Sequence, residues 1–329
     1  MIIMTLPSSY CNEDWNFQNG GDEWECKCSE GKNQSPINLP RLAQAVPLDN
    51  TALFDYNKVT KANAQFVWEE NMIKMKGNFG TLTGVDLAEF EAYEIRFHTP
   101  AEHKIDGQRM DLEVQIFHRP LTEGDFAKKA VLSILFKKTY GSFNNFFDNI
   151  DLVNLPDKYI KEVTVENSID IDDIFMDQPG VTPDHFSYYY YQGSMSAPPC
   201  DEQVSWYVVS EPLPLGSTTI DMFRDTINVK LKRESNRPDV QLLLDANIPT
   251  LLGNYRKIQD LNDRNVYYFD RQQQCGWEDI KKVIEPQGHY EKIEQKMFKY
   301  FKVNDENPSG IPNAVVVTEQ EARGQGVVE

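Results

Sequence analysis

The side chains most able to do chemistry are concentrated in two stretches, Glu94-Ile95-Arg96-Phe97-His98 and Leu112-Glu113-Val114-Gln115-Ile116-Phe117-His118. On an extended chain, residues two apart project from one face, so Glu94, Arg96 and His98 are presented together, as are Glu113, Gln115 and Phe117. Imidazoles and carboxylates grouped this way are the material of acid–base and metal-assisted chemistry, catalytic zinc needing three protein ligands and a water. Arg96 opposes that chemistry, because a guanidinium has no lone pair to donate and stays protonated in proteins. Gln115 offers only a carbonyl oxygen, which suits harder cations than zinc.

Strands must carry these groups, and the short alternating runs Glu113 to His118 and Val204 to Val209, separated by Gly, Pro and Asn clusters, read as strands. A chain of 329 residues is long enough for one large β-rich domain and a short extension. Its net charge of −18, from 33 basic and 51 acidic side chains, opposes binding to nucleic acid, heparin-like sugars or an anionic membrane surface. No stretch approaches the roughly 20 apolar residues of a membrane span. Met1 to Leu6 is too short, and lacks the basic start, of a secretory signal. The polar C-terminus, Gly326 to Glu329, excludes an uncleaved lipid-anchor signal.

Four blocks follow one another in an order that chance rarely produces. They are Cys28-Ser29-Glu30-Gly31-Lys32-Asn33-Gln34-Ser35-Pro36-Ile37-Asn38, preceded by Trp15, Phe17 and Trp24; Phe97-His98-Thr99-Pro100-Ala101-Glu102-His103; Tyr191-Gln192-Gly193-Ser194-Met195-Ser196-Ala197-Pro198-Pro199-Cys200, continued by Val204-Ser205-Trp206; and the run from Asn254-Tyr255-Arg256 to Arg264. Over roughly residues 10 to 268 they resemble the GKxQSPI, FHTPSEH, YxGSLTTPPC and NYRPVQPLNGR patterns of the α-type carbonic anhydrase family. The fold this resemblance implies is mainly β with few, short helices: a large, twisted, mostly antiparallel sheet of about ten strands, with a C-terminal helical extension.

The resemblance also implies roles. The first zinc-ligand position holds Arg96, the second His98 and the third Gln115, so one histidine of three survives and zinc, or any other cofactor, is expected to be absent. Glu102 and Ser196 match the pair that orients the zinc hydroxide, Glu113 the carboxylate that orients the third ligand, and Glu94 replaces an amide. Phe117 fills the carbon dioxide pocket where the family has valine, and the proton-shuttle histidine falls near Asn63. Glu102, Ser196 and Asn63 are then vestiges, and no catalytic residue is expected. Arg96 would occupy the metal's place, neutralised by Glu113, Glu94 or Glu102, since a buried guanidinium must be paired. His103, His118 and the Tyr188 to Tyr191 run read as scaffold, His185 and His289 have no motif around them, and Glu291 and Glu294 read as a solvated helix face.

Of the five cysteines, Cys28 and Cys200 stand where secreted family members form a disulfide. That pairing implies an oxidising compartment, extracellular or luminal, although no signal peptide is visible. Cys11, Cys26 and Cys275 remain, so one thiol is left over if two of them pair.

The expected organisation is a carbonic anhydrase-like domain over 1–270, a helical extension over 271–303 and an extended or disordered tail over 304–329. Trp277 to Ile284 reads as a short helix. A second, His289 to Val303, carries an apolar stripe of Tyr290, Ile293, Met297 and Phe301 that packs on its own domain or docks a partner. The functional expectation is a catalytically inactive structural or binding subunit of a larger assembly. Protein partners would be reached through residues 271–329, and a homo-oligomer stays open. The alternatives are residual or altered lyase or esterase chemistry using Glu102, Ser196 and His98, and small-anion binding through Arg96.

Overall fold

In the computed structural model, the described residues are 15–271 without 18, 49, 60–62, 123–127, 151, 157–161, 166, 177–185 and 235–252. The helices expected after residue 271, the stripe of Tyr290, Ile293, Met297 and Phe301, and the tail all lie outside them, as do Cys11, Cys275, His185 and His289.

The strands in chain order are β1 Asn38–Leu39, β2 Val46–Pro47, β3 Leu53–Tyr56, β4 Ala64–Glu69, β5 Met72–Thr83, β6 Glu89–His98, β7 Lys104–Ile105 and β8 Gln108–Arg109. They continue with β9 Leu112–Pro120, β10 Lys129–Thr139, β11 Glu162–Thr164, β12 Tyr188–Ser194, β13 Glu202–Val209, β14 Leu213–Gly216 and β15 Tyr267–Phe269. The helices are α1 Lys27–Glu30, α2 Asn145–Asn149, α3 Asp173–Met176 and α4 Ser217–Glu234. A 12-stranded sheet runs β11-β4-β5-β6-β9-β10-β13-β12-β15-β2, with β3 joined to β5 and β14 to β10, and a 3-stranded sheet runs β1-β7-β8. The large sheet is mainly antiparallel, with parallel joins of β10 to β13, β10 to β14 and β15 to β2. It is the large twisted sheet expected from the sequence, while α4, at 18 residues, is longer than the short helices expected.

Register explains how the site is assembled. Lys74 of β5, Arg96 of β6, Gln115 of β9, Ser133 of β10 and Val208 of β13 oppose one another in successive pairs, which puts them in one row on one face. The adjacent row holds Lys76, Glu94, Phe117, Val131 and Trp206. Side chains alternate along each strand, so Ile95, Phe97, Val114, Ile116, Leu132 and Ile134 face the other way and form part of the main core. α4 closes that core, Phe223 stacking on Phe97 with ring centroids 4.8 Å apart. Each such side chain contributes roughly 1.5–3 kcal/mol by leaving water. The polar row is therefore held between two apolar layers, because Phe117, Val131, Trp206, Val208 and Tyr189 form a second cluster beside it.

Cys28 and Cys200 are joined by a disulfide across a sequence separation of 172, tying α1 to the loop after β12. Cys26 is also disulfide-bonded. In the loop-entropy account, a closure of the Cys28–Cys200 length is worth about 5 kcal/mol. The double variant Cys28→Ser, Cys200→Ser is expected to lower the urea midpoint accordingly; an unchanged midpoint would show that the loop is constrained by other contacts.

His118 accounts for a second expected result. Its Nδ1–H donates to the Ala130 carbonyl at 3.2 Å and its Nε2 lies 3.2 Å from the Tyr56 hydroxyl, in a fully buried position. Burial pushes this imidazole down to about 4, against backbone contacts that favour its cation. A depressed folded pKa means that the unfolded chain binds the proton first. The stabilisation is therefore complete above about pH 6.5 and is lost as pH falls towards about 4, a change of order 3 kcal/mol. Chemical denaturation across that window should show the slope, and His118→Phe should flatten it.

Candidate functional site

Arg96, His98, Glu113 and Gln115 come together on neighbouring strands, all of them buried. The Arg96 Nε–H donates to Glu94 Oε1 at 2.6 Å, and its guanidinium carbon lies 3.9 Å from the centre of the Phe117 ring. Glu94 Oε1 is also 3.8 Å from Lys74 Nζ, which in turn donates to Glu70 at 2.6 Å. A chain of alternating charge thus runs from the half-exposed Glu70 through Lys74 and Glu94 to Arg96. Burial, and then the Arg96 charge, push the Lys74 ammonium below its usual value. Burial works against the Glu70 anion, but the Lys74 contact outweighs it and holds that carboxyl below the ordinary range.

Glu113 and Glu102 take no part in neutralising Arg96, which narrows the three expected partners to Glu94. The reason is saturation. Glu113 accepts from the backbone N–H groups of Glu102 and His103 at 2.7 and 2.8 Å, and from His103 Nδ1, Gln115 Nε2 and Ser133 Oγ at 2.8 Å each. Burial opposes its anion, yet the His103 charge and hydrogen bonds prevail and hold the carboxyl down to about 2. Glu102 accepts from the Arg256 backbone N–H and from Gln115 Nε2, both at 2.9 Å.

His98 Nδ1 lies 2.5 Å from the Asn254 carbonyl, and the Asn254 side chain bridges the Phe97 carbonyl and the Thr99 N–H at 2.8 and 2.9 Å. Arg256 reaches Gln34 and the carbonyls of Ser35 and Cys28 at 2.9, 2.7 and 2.6 Å, and burial pushes its guanidinium down to about 10. Three of the four sequence blocks are thereby stapled around one centre. Phe17 closes it, its ring set edge-on to His98 at 6.2 Å.

Ser196 is not hydrogen-bonded to Glu102. Its hydroxyl, like His98 Nε2 and Gln115 Oε1, is buried with no hydrogen-bond partner in the protein. Asn63 is exposed beside the start of β4, and its amide cannot relay a proton as an imidazole does. Sequence reasoning missed Lys74, Glu70, Asn254 and Arg256 as neighbours of the centre. Asn254 and Arg256 sit in a recognised block, but nothing in their types shows what they staple.

The eukaryotic-type carbonic anhydrase family model matches residues 16–270. This chain belongs to that family. Within it, dioscorin dioA3 of Dioscorea japonica is 28% identical over 264 residues, covering 78% of this chain and 82% of its own length. Alpha carbonic anhydrase 3 of Arabidopsis thaliana is 29% identical over 247 residues, covering 74% and 76%. A dioscorin solved in complex with ascorbate superposes with a TM-score of 0.58 at 26% identity, over 80% of this chain and 99% of that one. Family membership raises the question of zinc. Among the described residues no group of three or more His, Cys, Asp or Glu is placed to hold a metal ion. Nor does the donor set fit zinc. Of the three residues at the expected ligand positions, His98 offers one imidazole nitrogen, Gln115 one amide oxygen and Arg96 no lone pair, its cation being held by Glu94.

Among the described residues no helix is long and apolar enough to cross a membrane. The disulfide is compatible with an oxidising compartment.

Proposed function

We propose that this chain is a non-catalytic carbonic anhydrase-fold protein, a structural or binding subunit in an oxidising compartment, with no zinc. The observation that carries this reading is the pairing of Arg96, the residue that the resemblance puts at the first ligand position, with Glu94 under the Phe117 ring. An unpaired guanidinium about 4 Å from a divalent ion would repel it by roughly 8 kcal/mol at an effective dielectric near 20, an upper bound that the Glu94 carboxylate reduces, and a guanidinium has in any case no lone pair to donate. Without the metal nothing lowers the pKa of a water from about 15.7 towards 7, the step that makes hydroxide available for attack on carbon dioxide.

The alternatives fare less well on the same geometry. Arg96 is 5% exposed and its charge is met by Glu94, which leaves little for a small anion at the old centre. His98 and Ser196 are fully buried, so an ester has no route to them. The dioscorin complexed with ascorbate supports the binding side of the reading. The domain from 1 to 270 would supply a rigid body and residues 271–329 the contact with partners.

Stopped-flow carbon dioxide hydration, with and without added zinc, tests this. The expected rate is that of buffer in both conditions. A kcat/KM in the ordinary enzymatic range, about 10⁴–10⁸ M⁻¹s⁻¹, would overturn it.

A further inference from the structure

Three side-chain atoms at the centre are buried without a partner in the protein: His98 Nε2, Gln115 Oε1 and Ser196 Oγ. Their chemistry is fixed by what the rest of each side chain does. The Gln115 amide nitrogen donates to two carboxylates, Glu102 at 2.9 Å and Glu113 at 2.8 Å, so the amide cannot be reversed without setting its oxygen against two anions. The carbonyl oxygen therefore points away, as an acceptor. His98 Nδ1 faces the Asn254 carbonyl at 2.5 Å and so must carry the hydrogen, which leaves Nε2 as a bare lone pair in the neutral ring.

The two side chains that carry these acceptors both approach Glu102 with their opposite ends, Gln115 Nε2 at 2.9 Å and His98 Nδ1 at 3.6 Å, so each acceptor is turned away from that carboxylate. They also share a face of the sheet, Gln115 lying opposite Arg96 and His98 opposite Glu113. Ser196 enters from the loop after β12, where Ala197 packs with Phe17 and Met72 beside His98. Its hydroxyl can donate.

We infer that this centre binds one structural water molecule, which donates to His98 Nε2 and Gln115 Oε1 and accepts from the Ser196 hydroxyl. The match is specific in number and polarity: two acceptors and one donor against two hydrogens and a lone pair, three bonds being typical of a buried water. The occupant is small, because all three residues are 0% exposed and Phe17 and Phe117 close the approach. A metal is disfavoured by Arg96 and an organic ligand by size. Leaving the two acceptors unmet would forfeit the hydrogen bonds that water gives them in the unfolded chain. The inference rests on the zinc-free reading of the centre, and adds what holds it together: a water kept as a structural bridge, with nothing present to ionise it.

The test is solution NMR of the full chain with ¹⁵N-labelled histidine, His98 being assigned by the signal lost in His98→Phe. The expected spectrum has His98 protonated at Nδ1 and bare at Nε2, with a cross-relaxation peak from its ring Hε1 to a long-lived water. Ser196→Ala, a small change in a loop, should weaken or abolish that peak while the cooperative unfolding transition is kept. An Nε2–H tautomer, the lack of a water peak, or a peak indifferent to Ser196→Ala would each overturn the inference and leave the absence of zinc untouched. A stoichiometric metal on Nε2 would overturn both.

Discussion

Arg96→His combined with Gln115→His is expected to give this chain stoichiometric zinc, against far less than one equivalent without the two substitutions. The first substitution replaces a guanidinium, which has no lone pair, by an imidazole and removes a repulsion of at most roughly 8 kcal/mol; the second supplies a third imidazole in place of an amide oxygen. Every factor of ten in affinity is about 1.4 kcal/mol, so the gain spans several decades. The supports for such a site are already present. His98 has its Nδ1 on the Asn254 carbonyl, and Glu113 sits 2.8 Å from the position-115 side chain, where it would fix a new imidazole. Hydration activity should stay feeble in this double variant and rise only when Phe117→Val is added, because the Phe117 ring lies over the centre. Metal content separates the two steps. If Arg96→His, Gln115→His folds and takes no zinc, Arg96 is not the obstacle described here.

Glu94→Gln should be among the most destabilising single changes in the molecule. It leaves the buried Arg96 guanidinium without its anion and takes from Lys74 one of its two carboxylate neighbours. Breaking one half of a buried ion pair costs about 3–5 kcal/mol, most of it the penalty of the charge left behind. Replacing both partners, Glu94→Leu with Arg96→Met, should restore most of that stability or exceed the original, since the pair's desolvation cost goes with it. The two urea midpoints decide the matter. A Glu94→Gln midpoint within experimental scatter of the unchanged protein would mean that Arg96 finds another anion, and the pairing would have to be revised.

The fold was legible because its sequence blocks coincide with the segments that hold the centre together. Asn254 and Arg256, in the block Asn254-Tyr255-Arg256, tie the end of β6 and the segment of Cys28, Gln34 and Ser35 to one stretch of chain, so losing the first side chain would release β6 and losing the second would release the 28–35 segment. Cys28 and Cys200 were legible for a similar reason, as both stand within such blocks. The partner of Arg96 was harder to read. Glu94, Glu102 and Glu113 are equal as residue types, and only the fold shows that the last two are engaged by other donors while Glu94 holds Arg96. Lys74 was not legible at all. It lies opposite Arg96 only in the register of β5 on β6, and that register shifts between Lys76 and Gly80, so counting residues along the strand does not reveal it. Its burial, at 2% exposed, is equally invisible in a stretch that alternates Met72, Lys74 and Lys76.

Metal analysis by elemental mass spectrometry, on the full chain purified from its native source and never exposed to chelators, is the most direct test of the central claim. The account predicts zinc far below one equivalent and no carbon dioxide hydration from the same sample. One equivalent of zinc retained through purification, with hydration activity that follows the metal, would contradict it. In that case Arg96 could not be occupying the first ligand position.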